Sequence, residues 1–320
     1  MKLGLLSTAR INELLVAGSR LTSGVEVVAI GSREPARAEA QAQTLGIPRA
    51  HGSYEELLTD PEVEAVYIAL PNSMHAEWSM RALQAGRHVL CEKPFSRRAE
   101  DIARAFEVAD GAGLVLCEAF MWRHHPQARR LLELLGEIGE LRLVRASFSF
   151  LLERPGDIRL QGALDGGALM DVGCYCVSAT RLLAGEPLTV SAQLVRGGDG
   201  VDVRLVAWLR FPEEVLATID CGLDMAARDE LEVTGTRGSV WLDDPWHART
   251  PAIELRREAS VEQIAVDSLN PYACELEDFA AAVAGERPPR FGREDALMQA
   301  RTIAALYESA EVNRPMEVHR

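Results

Sequence analysis

Three side chains of this chain have the chemistry to move a proton together: Lys93, Asp171 and Tyr175. Lys93 stands in Glu92-Lys93-Pro94, directly after a short apolar run, and Glu92 could support it. At the end of a strand such an ammonium could act on a substrate oxygen. Asp171 and Tyr175 are four residues apart, so on a helix they share one face. A phenol has an unperturbed pKa of about 10 and is a poor base at neutral pH. A lysine ammonium within a few ångström favours the phenolate and makes proton exchange with a hydroxyl easier. Asp171 would orient the lysine or a substrate hydroxyl. Taken singly, each residue has an ordinary explanation: a surface lysine, a buried cap, an aromatic core residue. Rival chemistries find no motif: there is no H-E-x-x-H, no G-x-S-x-G and no phosphate loop ending in Gly-Lys-Ser/Thr.

The elements that must position these groups follow from the apolar pattern. Leu3 to Leu6 reads as a strand opening into a helix with Ile11, Leu14, Leu15 and Gly18 at helical spacing. Strands at Val25 to Ile30, Ala65 to Leu70, His88 to Cys91 and Leu114 to Cys117 alternate with helices at Glu34 to Leu45, Met74 to Gln84 and Ala99 to Ala109. That alternation implies an α/β fold with a doubly wound parallel sheet over residues 1–122. The texture then changes. Leu141 to Leu152, Val190 to Arg196, Val201 to Phe211, Val215 to Cys221 and Leu231 to Thr234 read as strands, some joined by hairpins such as Gly197-Gly198-Asp199-Gly200. Residues 123–320 are therefore expected to be an α+β domain on a large, mostly antiparallel open sheet. A helix near Gly167 to Leu183 interrupts it and two more helices close the chain.

Doubly wound sheets bind ligands beyond the carboxyl ends of their strands. The first such turn is Ser7-Thr8-Ala9-Arg10-Ile11-Asn12. The glycines of a G-x-G-x-x-G fingerprint are replaced by Ser7, Ala9 and Asn12, yet small residues still permit close approach to a pyrophosphate. The second strand leads into Ser32-Arg33, a hydroxyl and a cation that suit the 2′-phosphate of NADP; NAD remains possible, and Glu34 is a mild counter-signal.

Composition narrows the partners. A net charge of −14 repels nucleic acid and anionic membranes. No apolar run approaches the roughly 20 residues of a bilayer span, and no signal peptide is seen. The six cysteines form no Cys-x-x-Cys pair, which suits a reduced cytoplasmic protein without a metal site. On the strand 201–211, Val206 and Trp208 lie on the polar side with Asp202, Arg204 and Arg210, and Leu216 on the next strand is expected to join them in one outer patch. Such a patch suggests an interface, so a homodimer or a dimer of dimers through this sheet is expected.

Four segments tie the candidates together: Leu70-Pro71-Asn72-Ser73-Met74-His75, Glu92-Lys93-Pro94, Glu118 to Pro126 and Gly166 to Tyr175. In order and spacing they resemble the Gfo/Idh/MocA family, named for glucose–fructose oxidoreductase and inositol dehydrogenase, over nearly the whole chain. Ser7-Thr8-Ala9, the Asp-x-Gly-x-Tyr run at 171–175 and Gly292-Arg293-Glu294-Asp295-Ala296 are closer to the branch with dimeric dihydrodiol dehydrogenase and NADP-dependent D-xylose dehydrogenase. The resemblance implies a Rossmann domain and a catalytic Lys93 supported by Glu92. Asp171 and Tyr175 match the paired acid and proton shuttle, where most of the family has histidine in place of the tyrosine. It further implies that Ser7, Thr8, Ala9, Ile11, Ser32, Arg33, Leu70, Pro71, Asn72 and His75 hold the cofactor, with Trp122 and Arg123 near the nicotinamide. Arg159, Trp246 and Tyr272 could line a substrate pocket, and one of His124 and His125 could border it. The expectation is an NADP-dependent oxidoreductase acting on a sugar-like alcohol or carbonyl, such as an aldose dehydrogenase. Two alternatives are a trans-dihydrodiol or anhydro-sugar reductase and, from another class, a non-catalytic NADP sensor, which need not keep Lys93, Asp171 and Tyr175.

Overall fold

The computed structural model describes residues 1–154, 156–249, 251–258 and 260–319. The chain forms two compact units, Met1–Met121 with Asn270–Leu297 and Trp122–Leu269 with Met298–Arg320.

The first unit is built on β1 (Lys2–Leu6), β2 (Glu26–Gly31), β3 (Arg49–His51), β4 (Ala65–Ile68), β5 (His88–Glu92) and β6 (Leu116–Ala119). All neighbours are parallel, in the order β3-β2-β1-β4-β5-β6. The order reverses between β1 and β4, which is where an open α/β sheet leaves a crevice at its carboxyl edge. The strands are apolar because both faces are covered: Leu3, Leu5, Leu6 and all of Ala65 to Ile68 have no solvent exposure. The helices are α1 (Asn12–Ser19), α2 (Pro35–Leu45), α3 (Tyr54–Thr59), α4 (His75–Gln84) and α5 (Ala99–Ala112). Pro35 opens α2, and Gly46 closes it at φ 67°, a conformation glycine adopts without strain. Periodicity did not reveal β3 and α3, whose three and six residues are too few to show a pattern.

The second unit begins with α6 (Pro126–Leu134) and β7 (Leu141–Leu151), followed by α7 (Cys174–Ala184). Then come β8 (Thr189–Arg196), β9 (Asp202–Arg210), β10 (Leu216–Gly222), β11 (Asp224–Gly235), β12 (Ser239–Leu242), β13 (Ala252–Arg257) and β14 (Ser260–Ala265). The chain closes with α8 (Pro271–Val283), α9 (Arg293–Val312) and β15 (Met316–Glu317). Helix α8 groups with the first unit although its sequence lies in the block 123–320. The second sheet runs β14-β13-β12-β11-β7-β10-β9-β8-β15 and is antiparallel except where β7 meets β10. Along β9, Leu205, Ala207 and Leu209 are buried, while Val206 is 61% and Trp208 43% exposed. Asp202 breaks the expected alternation. It is buried, accepts hydrogen bonds from the Tyr307 hydroxyl (2.7 Å) and the Leu169 N–H (2.6 Å), and sits where the β8–β9 register shifts.

The expected helix from Gly167 is not a single α-helix. Leu169–Gly173 forms a π turn that runs into α7. Gly173 allows that turn to press on β10, since a Cβ there would lie 2.7 Å from Cys221 Sγ. Single π turns inside helices recur at functional sites, and this one carries Asp171 immediately ahead of Tyr175.

Candidate active site

The first βα turn works without its glycines. Ser7 has φ 138°, a backbone region that ordinarily demands glycine. Its hydroxyl donates to Ala69 O (2.8 Å) and accepts from the Ala9 N–H (3.2 Å). Asn12, fully buried, donates to Ser7 O (2.9 Å) and Gln41 Oε1 (3.0 Å), and Gln41 in turn donates to Ala9 O (3.2 Å). Side-chain hydrogen bonds thus fix a turn that glycine freedom fixes elsewhere. Thr8, Ala9 and Ile11 are half-buried on this turn. At the end of β2, the buried Ser32 donates its N–H to His51 O (3.2 Å), and its hydroxyl accepts from the Glu34 N–H (3.2 Å). Arg33 is exposed. A pyrophosphate at this turn and a phosphate at Ser32-Arg33 fit the donors present.

Lys93 is half-buried at the end of β5 in a loop pinned from three strands or their turns. Tyr67 of β4 donates its hydroxyl to Glu92 Oε1, and Glu92 Oε2 accepts the Lys93 N–H (3.3 Å). Glu118 of β6 accepts the Phe95 N–H (2.7 Å). His75, at 1% exposure, sets Nδ1 3.0 Å from Pro94 O and Nε2 2.8 Å from Leu70 O. Pro71 precedes and Asn72 opens the 3-10 turn that leads into α4. His75 therefore ties this turn to the Lys93 loop. Burial, and then the Glu92 charge, push the Tyr67 phenol well above its usual range, so it stays a donor.

In the second unit, the Asp171 carboxylate accepts from Arg159 Nε at 2.7 Å, and Asp157 accepts the Arg159 N–H at 3.0 Å. Two glycines let the backbone pack closely here. A Cβ on Gly166 would collide with Arg159 O, and one on Gly167, at φ 122°, with Asp202 Oδ1. Tyr175, 7% exposed, lies among rings. Phe148 meets it edge-on at 5.3 Å and Trp246 tilts at 5.9 Å. Phe148 stacks on Trp246 at 6.1 Å, Trp122 meets Trp246 edge-on at 5.4 Å, and His247 meets Phe148 edge-on at 5.5 Å. Such pairs contribute about 0.5–1.5 kcal/mol each beyond their buried area. The Trp246 indole donates to Ser147 O (3.1 Å).

The structure thus gathers Trp122, Tyr175 and Trp246 in one aromatic group and joins Arg159 to Asp171. Arg123 is buried at 3%. Tyr272 belongs to the first unit, in the first turn of α8 with its Cβ against Gly18 of α1, and its charge is felt at Tyr67. His125 is a helix cap: Nδ1 accepts the Gln127 N–H (3.1 Å) and Nε2 donates to Leu269 O (3.0 Å). Phe148, His247, Tyr67 and Glu118 were missed. Tyr67 had left a signal as the single polar tip in an apolar run. Although no metal was expected, Asp229, Asp244 and His247 bring ligand atoms within 4.8 Å of one another. Arg249 already supplies a cation there, 3.2 Å from Asp229 and 3.0 Å from Asp244.

Comparison with known proteins agrees with this architecture. Residues 3–120 match the oxidoreductase family with an NAD-binding Rossmann fold, and residues 125–241 match the Gfo/Idh/MocA C-terminal domain. The chain belongs to the Gfo/Idh/MocA family of oxidoreductases. It is 40% identical to D-xylose 1-dehydrogenase (NADP(+)) 2 of Haloferax volcanii, over 99% of this chain and 100% of that one. It is 37% identical to human trans-1,2-dihydrobenzene-1,2-diol dehydrogenase, over 69% and 67%. The crystal structure of KijD10, a 3-ketoreductase from Actinomadura kijaniata in complex with NADP and TDP-benzene, superposes with a TM-score of 0.91 at 34% identity, over 97% of both chains. The expected fold and family are therefore correct. Among the described residues no helix is long and apolar enough to cross a membrane.

Proposed function

We propose that the protein is an NADP-preferring dehydrogenase or reductase of sugar-like alcohols and carbonyls, with an aldose such as D-xylose as the first substrate to try. The observation that carries this reading is the Lys93 loop, held by Tyr67, His75 and Glu118 at the carboxyl edge of a dinucleotide-type sheet. The likeness to the Haloferax enzyme supports the aldose. Residues 1–122 would serve as the dinucleotide domain and 123–320 as the substrate and oligomerisation domain.

Ser7, Thr8, Ala9 and Ile11 would hold the pyrophosphate, and Ser32 and Arg33 the 2′-phosphate. Leu70, Pro71, Asn72, Glu92, Trp122 and Arg123 would flank the nicotinamide, with His75 fixing the turn behind them. The bound cofactor supplies hydride transfer to or from a carbinol carbon. Tyr175 takes the hydroxyl proton in oxidation and returns it in reduction. Lys93, placed by the motif the chain shares with its family, favours the phenolate. Asp171, held by Arg159, orients the substrate hydroxyl, and the rings around Tyr175 exclude water.

The likeness to the human dihydrodiol dehydrogenase, together with that aromatic group, favours a trans-dihydrodiol, a cyclic diene diol, as second substrate class. A rate screen of NADP⁺ and NAD⁺ against D-xylose, D-glucose, other aldoses and a trans-dihydrodiol decides between them. Turnover with no member of the panel, despite NADP⁺ binding, would favour a sensor. The outer patch of Val206, Trp208 and Leu216 would seal a homodimer or dimer of dimers, for which light scattering should give at least twice the 35.0 kDa chain mass. Six cysteines without a Cys-x-x-Cys pair suit a reducing compartment such as the cytoplasm.

A further inference from the structure

Asp202 opens β9 with the parity of the exposed Arg204 and Val206, yet it is 1% exposed. The pairing with β8 supplies the reason. Val195 pairs with Arg204 and Arg196 with Asp202, which leaves Val203 as an extra residue on β9. An irregularity of this kind re-aims a side chain, and here it turns a carboxylate inward. A buried carboxylate needs donors. Oδ2 accepts the Leu169 N–H at 2.6 Å, and Oδ1 accepts the Tyr307 hydroxyl of α9 at 2.7 Å.

Leu169 opens the π turn that carries Asp171. The first N–H groups of a helix find no partner inside it, and Ala168 in the cap position has no side-chain oxygen to offer them. Asp202 supplies the cap from a strand 33 residues further along the chain, and its negative charge suits that end of a helix. The same carboxylate bears on Gly167, where a Cβ would collide with Asp202 Oδ1 and lie 3.2 Å from the Tyr307 hydroxyl. Gly167 O accepts the Asp171 N–H at 3.0 Å, and the Gly167 N–H donates to Arg159 O at 2.8 Å. Contacts at Gly167 and Leu169 therefore hold the backbone on which Asp171 and its partner Arg159 depend.

We propose that Asp202, backed by Tyr307, is a positioning residue for the proton-moving groups. It acts through the backbone, fixing the π turn so that Asp171 and, four residues on, Tyr175 keep their alignment. The role rests on the reading of Asp171 and Tyr175 as the groups that handle the substrate proton.

Hydrogen exchange on the full chain tests the hold without turnover. Asp202→Ala should raise exchange severalfold in peptides covering 166–177 and leave the parallel sheet of the first unit at its parental rates. Asp202→Asn should restore protection, because its amide oxygen can accept from Leu169 while its nitrogen donates to the Tyr307 oxygen. Tyr307→Phe should show the same local rise at smaller size, and it carries the test should the alanine variant not fold. Unchanged exchange at 166–177, or a rise of equal size throughout the chain, overturns the proposal. Kinetics with the best substrate of the aldose and dihydrodiol panel supply the second arm. Asp202→Ala should lower kcat by about tenfold to a hundredfold with KM for NADP⁺ unchanged, and Asp202→Asn should recover most of it. In a Tyr175→Phe background Asp202→Ala should cost little more. Multiplying losses, or no recovery with asparagine, overturns the positioning role. A Tyr175→Phe enzyme near full activity overturns the reading of Tyr175 instead, and the exchange series tells the two failures apart.

Discussion

Around Lys93 the holds are polar. A phenol, two carboxylates and an imidazole bond to named backbone or side-chain atoms of the 92–95 loop. Around Tyr175 the holds are rings, with Phe148, Trp246, Trp122 and His247 meeting at centroid distances of 5.3 to 6.1 Å. A hydrogen bond fixes an atom and fails when one donor is removed. Ring packing fixes a volume and tolerates replacement by a similar shape. The loop should therefore depend on the identity of single atoms, and the aromatic group on the space it fills.

That contrast can be broken by substitution. Trp246→Ala removes the largest fully buried side chain and should cost about 3–5 kcal/mol, while Trp246→Phe, which keeps a ring, should recover much of the loss in chemical denaturation. In the loop, Tyr67→Phe preserves the ring and removes only the donor to Glu92, at a cost of about 1.5–3 kcal/mol. It should also reduce kcat, whereas Trp246→Phe should act mainly on KM for the substrate. If Tyr67→Phe proved silent, the polar account of the loop would fail. Arg33→Ala should weaken NADP⁺ about tenfold to a hundredfold by loss of a charge-assisted phosphate contact, and equal weakening of NAD⁺ would remove the case for NADP preference. The smallest effect belongs to Ser7→Gly. It relieves a backbone at φ 138° but loses two hydroxyl hydrogen bonds, so the midpoint should move by the equivalent of about 1 kcal/mol or less.

The sequence disclosed most where periodicity and burial coincide. The parallel strands of the first unit are apolar on both faces, so Ala65 to Ile68 reads as a strand without help. Strand β12 went unseen because four residues are too few to show a pattern, and β13 and β14 because charged and polar residues, as in Ser260–Ala265, hide alternation. The π turn was invisible too, since its extra residue is set by contact of Gly173 with Cys221 from a distant strand. The candidate site was legible only as residue types in order, and Lys93, Asp171 and Tyr175 remain its proposed members. The groups that hold them were not legible. Tyr67, His75 and Glu118 come from three separate stretches of chain, and only the folded structure brings them to the 92–95 loop. His75 kept its motif position but stands behind the loop, on two carbonyl oxygens.

The central claim is that Lys93 and Tyr175 move one proton as a unit, and a double-mutant cycle tests it most directly. Lys93→Met and Tyr175→Phe should each lower kcat by about 10²–10⁴-fold while NADP⁺ binding survives, and the double variant should be little worse than either alone. Multiplying losses, or a Tyr175→Phe enzyme near full activity, would contradict the account.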